Sequence, residues 1–453
     1  MLRAASRHAP SRPFFTREFP AAAPVRQVRI TPCCRKNADG ISYSAMNIAL
    51  FTDSYIPTKS GIVTVVLQLR KVLTDMGHHV VIVTVNAHNY HDPEIDNDPD
   101  ILRILSVPTP FKIPDQYIGF PFERIIIPFL KKHQIQIIHS HTEFFIAHAA
   151  KLSGKKLHIP VVATTHTLWE DFYIYYLPFG RLIPVKIIRK CVKRLYKKFF
   201  ALINVSEKAR DYFKAPFMLP ASPSAIIPNA LDSDSFIRKP VAAEELSALR
   251  KSWGIAPDDV VLLFLGRVVE EKRVEELLEI CMRVIQKSEK LKVMFVGAGG
   301  ALQDLEKRAR EVSDRIIFTG YEPWTKVHYY YGIGDIFITA SLSEMHSMTV
   351  LEALMSHLPI IARRDSSFSD TIFHGENGYL ADTDEEMDGY ILDLAADAEK
   401  RKRFGEKSYE VSKNFTPDVF GKRTIAFYTK VLEKYPERPT DRELQDAVDA
   451  ASC

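Results

Sequence analysis

Two glutamates, Glu344 and Glu352, stand eight positions apart in the stretch SEMHSMTVLEAL. A helix beginning near Met348 would aim its free N–H groups at the loop from His346 to Thr349. Ser347, Met348 and Thr349 then form an anion site. Glu344 precedes that helix and Glu352 lies about one turn inside it, so the carboxylates flank the anion site without filling it. Carboxylates accept hydrogen bonds from sugar hydroxyls, worth about 1.5–3 kcal/mol per charged bond. The ligand implied has hydroxyls at both ends and phosphates in the middle, as a nucleotide sugar does. A plainer reading of Glu352 alone is a first-turn glutamate favoured by the helix dipole.

Other candidates follow strand-like runs. Arg267 and Lys272 come after VVLLFLG, in GRVVEEK. An arginine fork and a lysine point charge five apart suit a diphosphate, although a solvated helix start looks the same. Gly297, with Gly299 and Gly300, follows KVMFVG, where a missing side chain lets a ligand approach the backbone. Gly61 stands at a helix start in PTKSGI. His166 ends the run PVVATTH and is placed to donate to a substrate hydroxyl. His139 and His141, in HSH, are expected to point to opposite faces of their strand. No carboxylate cluster completes a ligand set with them, so no metal is expected.

These residues need a scaffold that brings strand ends together. From Met46 the chain alternates apolar strands (NIALFT, HVVIVTV, IQIIHSH, PVVATTH, ALINVS, SAIIPN) with helical patterns. A polar stretch, 228–240, follows. The rhythm then restarts with VVLLFLG, KVMFVG, RIIFTG, DIFITAS and PIIARRD. Continuous apolar strands separated by helices define doubly wound α/β domains. Such domains bind ligands outside the carboxyl ends of their strands. The expected fold is α/β, with two Rossmann-like domains over residues 46–230 and 236–415 facing across a cleft. Residues 89–100 read as an acidic loop and 436–453 as a frayed tail.

Composition narrows the class further. The chain has 453 residues, 46% hydrophobic and 26% charged, with net charge +4. Residues 1–45 contribute +6, leaving −2 for the other 408. That balance does not suit nucleic-acid binding. The Arg-rich, acid-poor, Pro-dotted residues 1–45 read as a start codon placed too early or, less well, as a transit peptide. Five cysteines without a CxxC suit a reducing compartment. No apolar run reaches the roughly 20 residues a spanning helix needs.

One helix carries a surface signal. In VKIIRKCVKRLYKKFFA (185–201), Lys186, Arg189, Lys190, Lys193, Arg194, Lys197 and Lys198 fall at alternating spacings of three and one, on one helical face. Apolar residues take the other face and no acid intervenes. A basic amphipathic helix of this kind suits an anionic membrane surface.

The ordered set TDSYIPTKSG, THTLWEDF, IPNALD, GRVVEEK, VGAGG and SEMHSMTVLEA resembles glycosyltransferase family 4, the retaining GT-B enzymes. The similarity runs from about Met46 to Tyr435 and is nearest to bacterial diacylglycerol α-glucosyltransferases. It implies that Glu344 holds the transferred sugar and Glu352 the ribose, while Arg267 and Lys272 stabilise the diphosphate. It implies that His166 touches the sugar from the first domain and that Gly61 approaches the phosphates. It also implies a last helix, 416–435, crossing back to the first domain, and no cofactor. The expected activity is retaining transfer of a hexose, glucose from UDP-glucose, to a membrane lipid hydroxyl, that of diacylglycerol. The protein would sit peripherally on the cytoplasmic, inner face of the cell membrane. No nucleophile is assigned; the departing phosphate would accept the acceptor's proton. Ser347, where many relatives have glycine, and His357, in SHLP for SGLP, depart from the pattern and leave donor identity open. A phosphatidylinositol mannosyltransferase-like enzyme, a nucleotide-sugar epimerase and a membrane-bound sugar sensor are the competing readings.

Overall fold

The computed structural model describes residues 45–58, 60–87, 91–108, 117–120, 122–177, 179–232 and 241–451. The readings of residues 1–44 and of 233–240 therefore lie outside the described residues.

Seven parallel strands form the first sheet: β1 (Asn47–Thr52), β2 (His79–Val85), β3 (Ile101–Ile104), β6 (Ile137–Ser140), β7 (Val161–Thr165), β8 (Ala201–Asn204) and β9 (Ser224–Ile226). Their order is β3-β2-β1-β6-β7-β8-β9. A small antiparallel pair, β4 (Ser106–Pro108) and β5 (Tyr117–Gly119), stands apart from it. The second sheet is also parallel, with β10 (Val260–Leu265), β11 (Leu291–Val296), β12 (Ile316–Gly320), β13 (Ile336–Thr339), β14 (Ile360–Arg363) and β15 (Gly378–Ala381). Its order is β12-β11-β10-β13-β14-β15. Central strand β10 is buried throughout and β1 from Ile48 on, because helices cover both faces of each sheet. In each sheet the order reverses beside the first strand, and that crevice is where a doubly wound sheet takes its ligand.

Helix Pro417–Lys434 crosses back to the first sheet. Its Phe427, Tyr428 and Val431 are buried in the same core as Ile48, Leu50 and Val66. Tyr428 reaches far enough in to hydrogen-bond His139, at 2.6 Å. The chain then forms helix Asp441–Ala450, where a frayed end was expected. Three devices hold it. Thr440 and Glu443 make a capping box, and Leu444 and Val448 are buried. Asp441 and Gln445 accept the Ser224 and Ile226 N–H groups, at 2.7 and 2.8 Å, so the helix covers the open edge of β9. The acidic stretch 89–100 likewise contains a short helical turn, Pro93–Asp96, capped by Asp92.

Among the described residues no helix is long and apolar enough to cross a membrane.

Candidate active site

The second half supplies a cationic floor. Gly266 (φ +153°) immediately follows β10 and Gly297 (φ +139°) immediately follows β11, both in a region that favours glycine. A Cβ on Gly297 would lie 1.9 Å from the Gly266 carbonyl oxygen, and one on Gly299 2.1 Å from that of Val268. Glycine at 297 is thus required by two loops packed backbone to backbone, whatever ligand approaches them. Arg267 emerges from the first loop and donates to Glu271, whose side chain is buried. Lys272 closes the short 3-10 turn Glu270–Lys272 and donates to Glu344 at 2.6 Å.

Helix Met348–Met355 begins where its sequence predicts. Ser347 caps it, its Oγ accepting from Val350 N–H, and also lies 3.1 Å from Thr349 Oγ1. Hydroxyls and free N–H groups therefore share this helix start. Glu352, one turn in, is buried and accepts from Tyr331 Oη at 2.7 Å. Burial pushes its carboxyl up to about 7, against the lowering effect of the Tyr331 bond. Beside Lys272, Glu344 behaves oppositely. Burial would raise it, but the Lys272 charge and hydrogen bond outweigh that and hold it below the usual range. His346 is buried, 3.4 Å from Asp370 and against the Phe415 ring.

The first half faces this floor. Gly61 opens helix Gly61–Asp75, capped by Ser60, and a Cβ there would be 3.7 Å from Met348 Cγ. The start of that helix thus abuts the start of helix Met348–Met355. Met345 packs against Leu168, Val205 and Ala209 of the first half. Lys208 reaches across to the Leu342 carbonyl (2.5 Å) and Asp365 (3.0 Å). No spacing rule ties a lysine at 208 to a carboxylate at 365, so only the folded arrangement reveals this strut. Tyr331, in the run HYYYG, is similarly invisible as a partner of Glu352.

The histidines require a correction. Residues two apart on a strand share a face, and the rings of His139 and His141 are 4.0 Å apart, not opposed. His141 Nδ1 in turn lies 3.2 Å from His166 Nε2, while His139 bonds Thr164 and Tyr428. Burial, with a smaller effect of His166, lowers His139 to about 3; burial lowers His166 to about 4. The trio is a chain of neutral imidazoles at physiological pH. Asp53 and Glu143 lie nearby in the fold and were not anticipated. Asp53 accepts from Thr142 and from Ile146 N–H, at 2.7 and 3.1 Å, and Glu143 from Tyr196 at 2.7 Å. Burial raises the first to about 6 and the second to about 7.

The basic helix is shorter than expected and its charges are not all free. It spans Val185–Tyr196, so Lys197 and Lys198 lie beyond it, because the chain must turn there to bury Phe199 and enter β8. Arg189 is committed inward. It makes a two-point bond to Glu170 at 2.6 and 2.7 Å and lies over the Phe217 ring. Lys193 donates to the Phe217 carbonyl. Lys186, Lys190 and Arg194 remain exposed, as do Lys197 and Lys198. Ile187, expected on the inner face, is exposed as well. It accompanies Phe179 and Leu182, which are 81% and 79% exposed.

Two parallel doubly wound sheets with a returning C-terminal helix define the GT-B fold. The structure superposes on Anabaena HepE solved with UDP, at TM-score 0.65 and 15% identity, covering 85% of this chain and 100% of that one. Sucrose-phosphate synthase from Thermosynechococcus elongatus gives the same score at 18% identity, over 86% and 99%. Residues 59–235 match the family model of Glycosyltransferase Family 4, and residues 247–411 that of Glycosyl transferases group 1. An alpha-monoglucosyldiacylglycerol synthase of Streptococcus pneumoniae is 32% identical over 85% of this chain and 86% of its own. Another with that name, from Acholeplasma laidlawii, is 26% identical over 86% and 98%. The chain belongs to the family 4 glycosyltransferases and is a hexosyltransferase.

Proposed function

We propose that the protein transfers glucose from UDP-glucose to the hydroxyl of diacylglycerol, with retention of configuration, at the cytoplasmic face of the cell membrane. The observation that carries this reading is the exposed patch on the first half. Within residues 179–194, Phe179, Leu182 and Ile187 stand in solvent and so do Lys186, Lys190 and Arg194, a mixture of apolar and basic side chains suited to anionic lipid. The names of the two synthases relate the same class of acceptor to chains of similar length.

In this reading the diphosphate lies over Arg267, Lys272 and the N–H groups at Ser347, Met348 and Thr349. Glu352 takes the ribose, and Glu344 and His166 take the hexose. The bond from the anomeric carbon to the β-phosphate oxygen breaks. A bond from that carbon to the acceptor oxygen forms on the same face, and the acceptor's proton passes to the departing phosphate oxygen. The cations and the helix start stabilise the charge that develops on the diphosphate. His166, neutral in its buried setting, donates one hydrogen bond to a sugar hydroxyl without adding charge.

The test is incubation of the protein with radiolabelled UDP-glucose, GDP-mannose and UDP-N-acetylglucosamine, each with vesicles containing diacylglycerol or phosphatidylinositol. Label from UDP-glucose in an α-linked diacylglycerol product is expected. Label appearing only in phosphatidylinositol, or only as an epimerised nucleotide sugar, would overturn the proposal.

A further inference from the structure

The opposite edge of the first sheet holds a cluster unrelated to sugar transfer. His79 opens β2, Asp100 immediately precedes β3, and His133 caps helix Glu123–Lys132 just ahead of β6. All three therefore sit at the amino ends of the strands, whereas the donor cleft is at the carboxyl ends. His79 Nε2 is 3.0 Å from His133 Nδ1 and 3.5 Å from Asp100 Oδ1. His133 Nδ1 is 3.4 Å from the same carboxylate oxygen.

The two histidine–carboxylate separations, 3.5 and 3.4 Å, are those of ligands around one small cation, and the histidine pair, at 3.0 Å, needs to part by only a few tenths of an ångström to join them. Donors held at roughly 2.0–2.2 Å from a tetrahedral zinc are about 3.3–3.6 Å from one another. Two imidazoles and a carboxylate also form a donor set used for such ions. The neighbouring charges leave the set to itself. Arg70 pairs with Asp98 and Lys71 with Asp75, at 2.7 and 3.0 Å. Among the described residues, the Asp100 carboxylate has only the two histidines as ionic partners. Without a cation, three atoms that can all accept must be reconciled by one or two shared protons. With one, all three bind through lone pairs.

The backbones that carry the donors are fixed independently. His79 N–H bonds the Met46 carbonyl, the Asp100 carbonyl accepts from Ile82, and His133 N–H bonds Phe129. His133 is 8% exposed, against 40% for His79 and 30% for Asp100. The cluster is thus closed on one side and open on the other. There it borders a cleft of about 380 Å³ lined also by Asp98, Arg70 and Lys71, with room for a water as fourth ligand.

We propose that His79, Asp100 and His133 bind one divalent transition-metal ion of the zinc type. The ion ties β2, β3 and the end of helix Glu123–Lys132 together at the edge away from the cleft. Its role is structural, and the transfer chemistry does not pass through it.

The experiment uses the full chain without an affinity tag, stripped by chelator and dialysed, then titrated with Zn2+ and with Co2+. One equivalent of each is expected, with Co2+ giving the visible bands of a tetrahedral site and Zn2+ raising the melting temperature. His79→Ala and Asp100→Asn, at half-exposed positions, should each weaken Zn2+ binding. The loss should exceed the roughly 10–100-fold that removing an outer-sphere partner costs. UDP affinity, measured on the same samples, should stay at the parent value and so reports that the variants are folded. Absence of stoichiometric binding by the parent overturns the proposal, as does equal binding by parent and both variants. In either case the cluster is held by shared protons alone.

Discussion

Lys272 Nζ lies 2.6 Å from Glu344 Oε1, in a cleft where both side chains are less than one-fifth exposed. The two residues come from different loops, 72 positions apart. In the proposed function Lys272 serves the diphosphate and Glu344 the hexose, which would put their contact at the junction of the two. Held this close, the two charges neutralise one another. A diphosphate would draw Lys272 away and free Glu344 for hydroxyls.

That exchange predicts opposite responses from the two partners. Glu344→Gln should lower transfer by roughly 10–100-fold, the value of one charged hydrogen bond. Its affinity for UDP should hold or tighten, because Lys272 is released from its partner. Lys272→Ala should weaken UDP binding and turnover together. Calorimetric titration with UDP, beside a transfer assay, separates the cases. Equal loss of UDP affinity in both variants would refute the division of roles.

The buried carboxylates predict a pH dependence. Glu352 and Glu143 are raised to about 7 and Asp53 to about 6 by burial. A carboxyl raised in the folded state holds more protons there than in the unfolded state. Its contribution to stability therefore falls as pH rises from its ordinary value toward its folded value. Buried His139 and His166, lowered to about 3 and about 4, act in the opposite direction over the same range, so the carboxyl is read by difference: the melting temperature of the parent relative to Glu352→Gln should decline between about pH 4.5 and pH 7. If Glu352 must be ionised to accept ribose hydroxyls, UDP affinity should climb through neutrality in the parent and not in this variant. A parent UDP affinity that is flat across that range would remove Glu352 from the ribose site.

How far the sequence carried this picture depended on the range of the signal. Strand and helix placement came from periodicity within a dozen residues, so β1, β2, β10 and β11 and the helix starts at Gly61 and Met348 were legible. β3 (ILRI) and β15 (GYLA) were not, since an arginine or a glycine interrupts the apolar run, whereas the equally short β13 and β14 are continuous apolar runs. Pairings across long separations were equally hidden. Nothing local announces that Tyr331 holds Glu352, that Lys208 spans to Asp365, or that residues 441–450 would find the edge of β9. The histidines differ for another reason: residues two apart on a strand share a face, so His139 and His141 lie together and not on opposite sides.

Arg189 separates fold from surface within the basic helix. Its partner Glu170 has a side chain only 3% exposed and also accepts from Tyr212 at 2.8 Å. Removing the guanidinium leaves a buried carboxylate short of its charge partner. Arg189→Ala should therefore destabilise the protein by about 3–5 kcal/mol. Lys190→Ala, on the exposed side, should change stability by no more than about 0.5 kcal/mol. Urea denaturation of the two variants measures this difference. Equal stabilities would mean that Arg189 belongs with the surface charges after all.

The exposed charges carry the membrane prediction. Lys186, Lys190, Arg194 and Lys197 are exposed, and each is worth about 1 kcal/mol near an anionic leaflet, less with imperfect depth and salt. Phe179, Leu182 and Ile187 add an apolar term that salt does not screen. The two contributions can be read apart. Replacing the four cations by Gln should abolish sedimentation with anionic vesicles while UDP binding in solution persists. Replacing Phe179 and Leu182 by Ser should weaken attachment to anionic vesicles by a factor that does not change with added salt. In the parent, attachment and lipid-dependent activity should both rise with the anionic lipid fraction and fall with ionic strength. Undiminished sedimentation of the four-Gln variant would make the helix Val185–Tyr196 a solvated face, and the acceptor would have to reach the cleft by another surface.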